Sequence, residues 1–191
     1  MVIFERECMY RRKFAVFFSA MLCISCANTY SAPKFNEPHA LINFTKSYGA
    51  KGKENVFSPV GRHQYYYVLA QEGCSDPKLA AHFHTGSLGG SSKEKRILAE
   101  RPIKIISAVS SRREVSFNTV EKITCSALVQ FTPKVNGKYE IRMDMALEHC
   151  GLQVVDTVSQ NLPMDIVQDA KKICTAEGLA AVKKFAEDST Y

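Results

Sequence analysis

Between residues 123 and 147 apolar and polar side chains alternate with a period of two, and this constrains the fold more than any other feature. Ile123, Cys125, Ala127, Val129 and Phe131 alternate with Thr124, Ser126, Leu128 and Gln130. Tyr139, Ile141, Met143, Met145 and Leu147 alternate with Glu140, Arg142, Asp144, Ala146 and Glu148. Successive side chains on a strand point to opposite faces, so each run predicts a half-buried strand rather than a helix. Asn136-Gly137 lies between the runs, and two strands flanking Asn-Gly predict a β-hairpin. A two-residue loop would set Phe131 against Arg142, apolar beside polar. Moving the register by one residue sets Phe131 against Ile141, Val129 against Met143 and Cys125 against Leu147. The expected connection is therefore Val135-Asn136-Gly137, a type I turn with Gly137 left-handed in a bulge, and Cys125 turned into the core.

The flanking sequence extends this pattern. Ile103 to Val109 predicts a strand, Val115 and Phe117 a second, and Leu152 to Val158 an edge strand after Gly151. Together these make an antiparallel meander over about 103–158. The N-terminal half carries helix punctuation instead. Asn36 and Gly49 bracket a helix over 38–48 whose Leu41, Phe44 and Tyr48 form one stripe. Ser58-Pro59 and Gly73 bracket a second, holding Tyr65-Tyr66-Tyr67. Asp76-Pro77 and Gly86 bracket a third, and Ser91 with Glu94 makes a capping box for a fourth that ends before Pro102. Residues 85–92, "TGSLGGSS", read as a flexible loop. At the C-terminus, Asp165 and Gln168 suggest a cap for a long helix. Its stripe would be Val167, Ala170, Cys174, Ala181 and Phe185, with Gly178 allowing close approach to the sheet. The expected fold class is α+β: a helical N-terminal half, the meander, and a C-terminal helix packed on the sheet.

The N-terminus points to export. Arg11-Arg12-Lys13 precedes an apolar run of 11 residues, Phe14 to Ile24, and then the small residues Ser25, Cys26 and Ala27. This is the pattern of a secretory signal peptide, and the run is far short of the roughly 20 residues that span a bilayer as a helix. Cleavage after Ala27 is favoured, leaving 28–191 as a single exported domain, periplasmic or secreted. Lipidation at Cys26 is the alternative; Cys23 stands where a lipoprotein signal expects Leu. Arg-Arg-x-Phe partly matches a twin-arginine signal, but Tyr10 departs from it.

Three of the seven cysteines, Cys8, Cys23 and Cys26, lie in the leader. The remaining Cys74, Cys125, Cys150 and Cys174 predict two disulfides with three connectivities. A helix facing the sheet favours Cys125–Cys174 with Cys74–Cys150. Cys150–Cys174 with Cys74–Cys125 is the alternative. Cys125–Cys150 is the least expected, because the hairpin would put these two close together on opposite faces. No pair has Cys-x-x-Cys spacing, so no zinc site is expected.

These features narrow the function. The formal charge is +6, and the leader carries four basic and two acidic residues, which leaves +4. That excess does not call for nucleic acid, and the basic residues between Lys93 and Arg113 read as a solvated face. His82-Phe83-His84 would share one face of a strand, but on a helix its imidazoles diverge by about 200°, so no metal is expected. The glycine loop lacks the G-x-x-x-x-G-K-[ST] spacing, and no cofactor is expected. The expectation is a non-enzymatic accessory or binding domain with a protein partner at the cell envelope or outside the cell. It would touch a membrane only if lipid-anchored. Thr124, Ser126, Gln130, Arg142 and Asp144 offer its polar sheet face. One alternative is a small exported hydrolase drawing on His63, His82, His84 and His149 with Asp144 or Glu148, although no G-x-S-x-G elbow is present. The other is a lipid-anchored envelope lipoprotein.

Overall fold

Strands account for most of the computed structural model, which describes residues 29–46, 62–69, 73, 74, 76–84, 91–116, 119–145 and 150–188. In chain order they are β1 (His39–Thr45), β2 (Arg62–Leu69), β3 (Lys78–His84), β4 (Ser92–Leu98), β5 (Ile103–Ser116), β6 (Thr119–Phe131), β7 (Lys138–Met145) and β8 (Cys150–Asp156). Two short helices follow, α1 (Ala170–Ile173) and α2 (Ala176–Asp188). The strands form two four-stranded sheets, a first ordered β4-β1-β7-β8 and a second ordered β3-β2-β5-β6. Every neighbouring pair is antiparallel except β1 with β7. Apolar faces of the two sheets meet in one core. Ile42, Phe44, Ile97, Ile141 and Val154 come from the first sheet, and Tyr66, Phe83, Ile105, Val129 and Phe131 from the second. The molecule is a β-sandwich.

The helical N-terminal half expected from the caps does not form. β1, β2, β3 and β4 occupy the four segments read as helices. Ser-Pro, Asp-Pro and Gly punctuate turns between strands as well as helix ends, so these signals mark boundaries without naming what lies between. Inside the boundaries the burial period is two. Ala40, Ile42 and Phe44 are buried while Leu41, Asn43 and Thr45 are half-exposed. In β2, Tyr66 is fully buried in the inter-sheet core while Tyr65 and Tyr67 belong to a separate cluster outside it. Aromatic and β-branched residues suit this pleated, half-buried surface.

The expected hairpin is also replaced. β6 and β7 both form, but they lie in different sheets, β6 beside β5 and β7 between β1 and β8. Alternation shows that a strand is apolar on one face; it does not say whether that face lies beside its sequence neighbour or opposite it. Here both strands turn their apolar faces into the inter-sheet core, where the Phe131 and Tyr139 rings lie 5.2 Å apart. Their connection is committed to other backbone partners: Asn136 N donates to His39 O, Leu41 N to Gly137 O, and Glu100 N to Pro133 O. The left-handed residue is Asn136 (φ 58°), not Gly137. The two strands expected after Ile103 are one, β5, which runs to Ser116, and β8 occupies most of the expected edge strand.

A single C-terminal helix is likewise overturned. Cys174 has extended backbone (φ −126°, ψ 151°) and breaks the helical path between α1 and α2. Asp169 caps α1 by accepting from Lys171 N at 3.0 Å. Asp165 instead accepts from Thr132 N at 2.8 Å, and Gln168 Nε2 donates to Leu152 O at 2.6 Å, which tie the segment to both sheets. Ala181 of the expected stripe is exposed. Residues 1–27 with Cys26, residues 85–90 of the glycine loop, Phe117, Leu147, Glu148 and His149 lie outside the described residues. Ser92, at the end of the loop reading, already belongs to β4.

The cysteines pair as Cys74–Cys174 and Cys125–Cys150, with Cα separations of 5.5 and 6.2 Å. Neither favoured pair forms, and the least expected one does. Parity separates Cys125 from Cys150 only if one sheet holds both. In fact Cys125 lies on β6 and Cys150 on β8, the edge strands of opposite sheets. Parity within a sheet does not apply to them, and their bridge closes one side of the sandwich. Cys74–Cys174 fastens the α1–α2 junction to the β2–β3 connection. There Gly73, Cys74 and Asp76 all have left-handed backbone (φ 66°, 62° and 53°). Only the first is a residue that adopts this conformation freely.

Two predictions follow the packing. A Cβ at Gly178 would collide with the carbonyl oxygen of Gly73, so α2 sits on that turn as closely as glycine permits. Gly178→Ala should therefore destabilise the fold in urea unfolding, although alanine favours a helix interior by about 1 kcal/mol. Replacing Cys74 and Cys174 by Ala opens a sequence separation of 100 residues, against 25 for Cys125 and Cys150. Loop-closure entropy then predicts losses of about 4.7 and roughly 3.5 kcal/mol respectively. The order, measured on the two double variants, checks the assignment.

Candidate functional site

The outer face of the second sheet is covered over only part of its area. Tyr67, Leu69, Ile106 and Leu128 pack against Ile173 and Cys174 from the C-terminal segment, with Leu79, Val167, Ala170 and Leu179 around them. Beyond this cover, toward the start of β2 and the end of β3, the same face carries His63, Tyr65, His82 and His84. The strand period and the register bring them together. His63 pairs with His84 and Tyr65 with His82 across the β2–β3 ladder, so all four share one face.

The rings form a close array. Tyr65 stacks on His82 with centroids 4.4 Å apart and planes 2° from parallel. His63 lies 5.4 Å from His82 and 4.4 Å from His84. Nδ1 of His63 and Nε2 of His82 are 3.2 Å apart, the separation of a ring N–H donating to a ring nitrogen. Tyr65 also stacks on Tyr67 at 6.0 Å, which joins the array to the covered cluster. Lysines border it: Lys93 lies 5.5 Å from the Phe83 ring centroid, and Lys46 Nζ donates to His84 O at 3.3 Å.

Burial and neighbouring cations disfavour charge on His82, and burial disfavours it on Tyr65. Partial burial pushes the His82 imidazole below its usual range, and the neighbouring His63, Lys93 and His84 push it further the same way. Burial also raises the Tyr65 phenol. Both shifts disfavour the charged form.

Three of the four histidines considered for hydrolysis, His63, His82 and His84, are thus gathered on one face. Asp144 is not with them. It stands exposed on β7 of the first sheet, with the core between it and the array. The polar face expected from one meander is divided likewise. Arg142, whose Nε donates to Gln153 Oε1 at 3.0 Å, and Asp144 belong to the first sheet; Thr124, Ser126 and Gln130 belong to β6 of the second. Among the described residues, no group of three or more His, Cys, Asp and Glu side chains is arranged to hold a metal ion. Sequence reasoning missed Tyr65 as part of the array. The signal was present in His63-x-Tyr65-x-Tyr67 and His82-x-His84, two runs that share faces once their segments are strands. No family model, no curated protein and no solved structure matches the chain.

The depressed His82 gives a signed pH dependence. Above pH 6.5 it is neutral folded or unfolded and contributes nothing. As pH falls from 6.5 toward its lower folded pKa, the unfolded chain binds the proton first, so stability drops. The groups facing it are His63 and Tyr65 on β2, His84 on β3 and Lys93 on β4. Thermal melts in chelator-containing buffer should show a lower Tm at pH 5.5 than at pH 7.5, and His82→Asn should flatten that difference.

Proposed function

We propose that the chain is an exported, non-enzymatic binding domain, braced by its two disulfides, that engages a protein partner at the cell envelope or outside the cell. The observation that carries this reading is the pairing of all four cysteines beyond residue 27. Such bridges persist in oxidising compartments and are rare where thiols are kept reduced. The signal-peptide pattern over residues 1–27 agrees with it. The partner surface in this reading is the uncovered part of the second sheet's outer face around Tyr65. Tyrosine supplies large, rigid contact area with a polar tip, and interfaces are enriched in it. A hydrolase is the weaker reading because Asp144, the described carboxylate it would use, stands on the other side of the sandwich.

One experiment tests the proposal: expression in an exporting bacterium with a photo-crosslinking residue at position 65, followed by fractionation and intact mass. The expected chain starts at Asn28, is four hydrogens lighter than its reduced form, and gives a discrete protein adduct that the same label at Gln153 does not. Acylated Cys26 would move the chain to the lipid-anchored reading. An unprocessed chain with free thiols in the cytosol would overturn export, and identical adducts from both labels would overturn the surface.

A further inference from the structure

We propose that His63 and His82 form a chelating site for a divalent first-row transition-metal ion, Cu2+ or Zn2+. This goes beyond the partner-binding reading and does not rest on it. The ligands come from adjacent strands of one ladder, with His82 two residues from His84 on β3 and His63 directly opposite His84 on β2. The sequence-level objection to a metal here was that a helix would turn the His-x-His imidazoles apart; on β3 they share a face.

The geometry suits a chelate. Nδ1 of His63 and Nε2 of His82 are 3.2 Å apart. Metal–nitrogen bonds of about 2.0–2.1 Å spanning that gap subtend roughly 100–105° at the ion, between a square and a tetrahedral angle. Without metal, one of these nitrogens carries a proton and the other accepts it. Exchanging that proton for the ion needs only a tautomeric shift in the donor ring, which moves its proton to its other nitrogen. Both ligands then bind as neutral imidazoles, and the protein's charge is unchanged. Tyr65, stacked on His82 at 4.4 Å, holds that ring in place before the ion arrives.

His84 stands beside the pair, 4.4 Å from His63 by ring centroids. The described residues do not converge as a three-ligand set, and the proposed site takes two protein ligands with water at the other positions. Two features then set the affinity. Two imidazoles with water make a micromolar site rather than a structural one, tighter for Cu2+ than for Zn2+ by the usual order of divalent affinities. Lys93 faces His82 electrostatically and opposes a second cation there, which gives the proposal a test beyond ligand removal.

The measurement is calorimetric titration of CuCl2 and ZnCl2 into the mature, untagged, disulfide-intact chain at pH 7.5, with electron paramagnetic resonance of the Cu2+ form. The expected result is one ion per chain, Cu2+ tighter than Zn2+, and nitrogen hyperfine structure from two imidazoles. His63→Asn and His82→Asn should each weaken binding at least tenfold with the β-sheet circular dichroism retained, and Lys93→Gln should tighten it several-fold. His39→Asn, remote from the array with its Nδ1 2.9 Å from Glu37 O, should leave binding unchanged. Stoichiometric binding that survives both His63→Asn and His82→Asn would overturn the site, as would no binding of Cu2+ below about 100 μM. If either variant loses its circular dichroism, the Cu2+ spectrum of the unmodified chain decides: hyperfine structure from fewer than two imidazole nitrogens also overturns the proposal. Crosslinking at position 65 is unaffected by any of these outcomes, so partner binding and metal binding stand or fall separately.

Discussion

The structure depends on burial of one apolar face from each sheet against the other. Neither sheet can stand alone, because a four-stranded sheet with one oily face must cover it, and among the described residues the partner of matching size is the other sheet. At the centre, Phe44 of β1 and Tyr66 of β2 are fully buried with ring centroids 5.0 Å apart. Tyr66 also solves a polar problem at that depth. Its hydroxyl donates to Thr45 O and accepts from Gln64 Nε2, each at 2.7 Å, so a buried glutamine and a strand-end carbonyl are both satisfied across the sheet–sheet boundary. Polar groups in a core are tolerable on that condition.

The sides of the sandwich are closed by different means. On the β6–β8 side the closure is covalent, through Cys125–Cys150. On the β3–β4 side the chain itself covers the edge. Thr29 bridges β3 at Leu79, and Tyr30 N donates to Leu79 O at 2.9 Å. Burial raises the Tyr30 phenol, whose hydroxyl bonds to the Leu98 backbone on β4. Exposed edges invite pairing with other chains, and both devices remove part of that hazard. β4 adds Lys93, Glu94 and Lys95, a charged run on an edge strand.

The outer surfaces carry what is left for function. The first sheet's outer face is mixed: Asn43, Glu94, Arg142, Asp144 and Gln153 stand among the half-exposed Leu41, Leu98 and Val155. The second sheet's outer face is half covered by the C-terminal segment, anchored by Cys74–Cys174. The same cover that buries Tyr67 ends at Tyr65, and the histidine array begins there. The candidate site is thus a consequence of how far the C-terminal strap reaches.

The strands from Ile123 onward and the presence of two disulfides were legible in the sequence for local reasons. Alternation from Ile123 to Phe131 and from Tyr139 to Met145 marks strands because side-chain direction depends only on the backbone at each residue. Four cysteines beyond residue 27, an even number without Cys-x-x-Cys spacing, mark two disulfides whatever the fold. The identity of β1 to β4 was masked because Ser-Pro, Asp-Pro and Gly end strands and helices alike. Partners were not legible at all. That Phe131 opposes the other sheet instead of pairing with Ile141, that Cys125 meets Cys150, and that His63 lies against His82 all depend on which surfaces meet in space. Only the tertiary structure decided them, because each joins residues whose separation in the chain says nothing about the face they share.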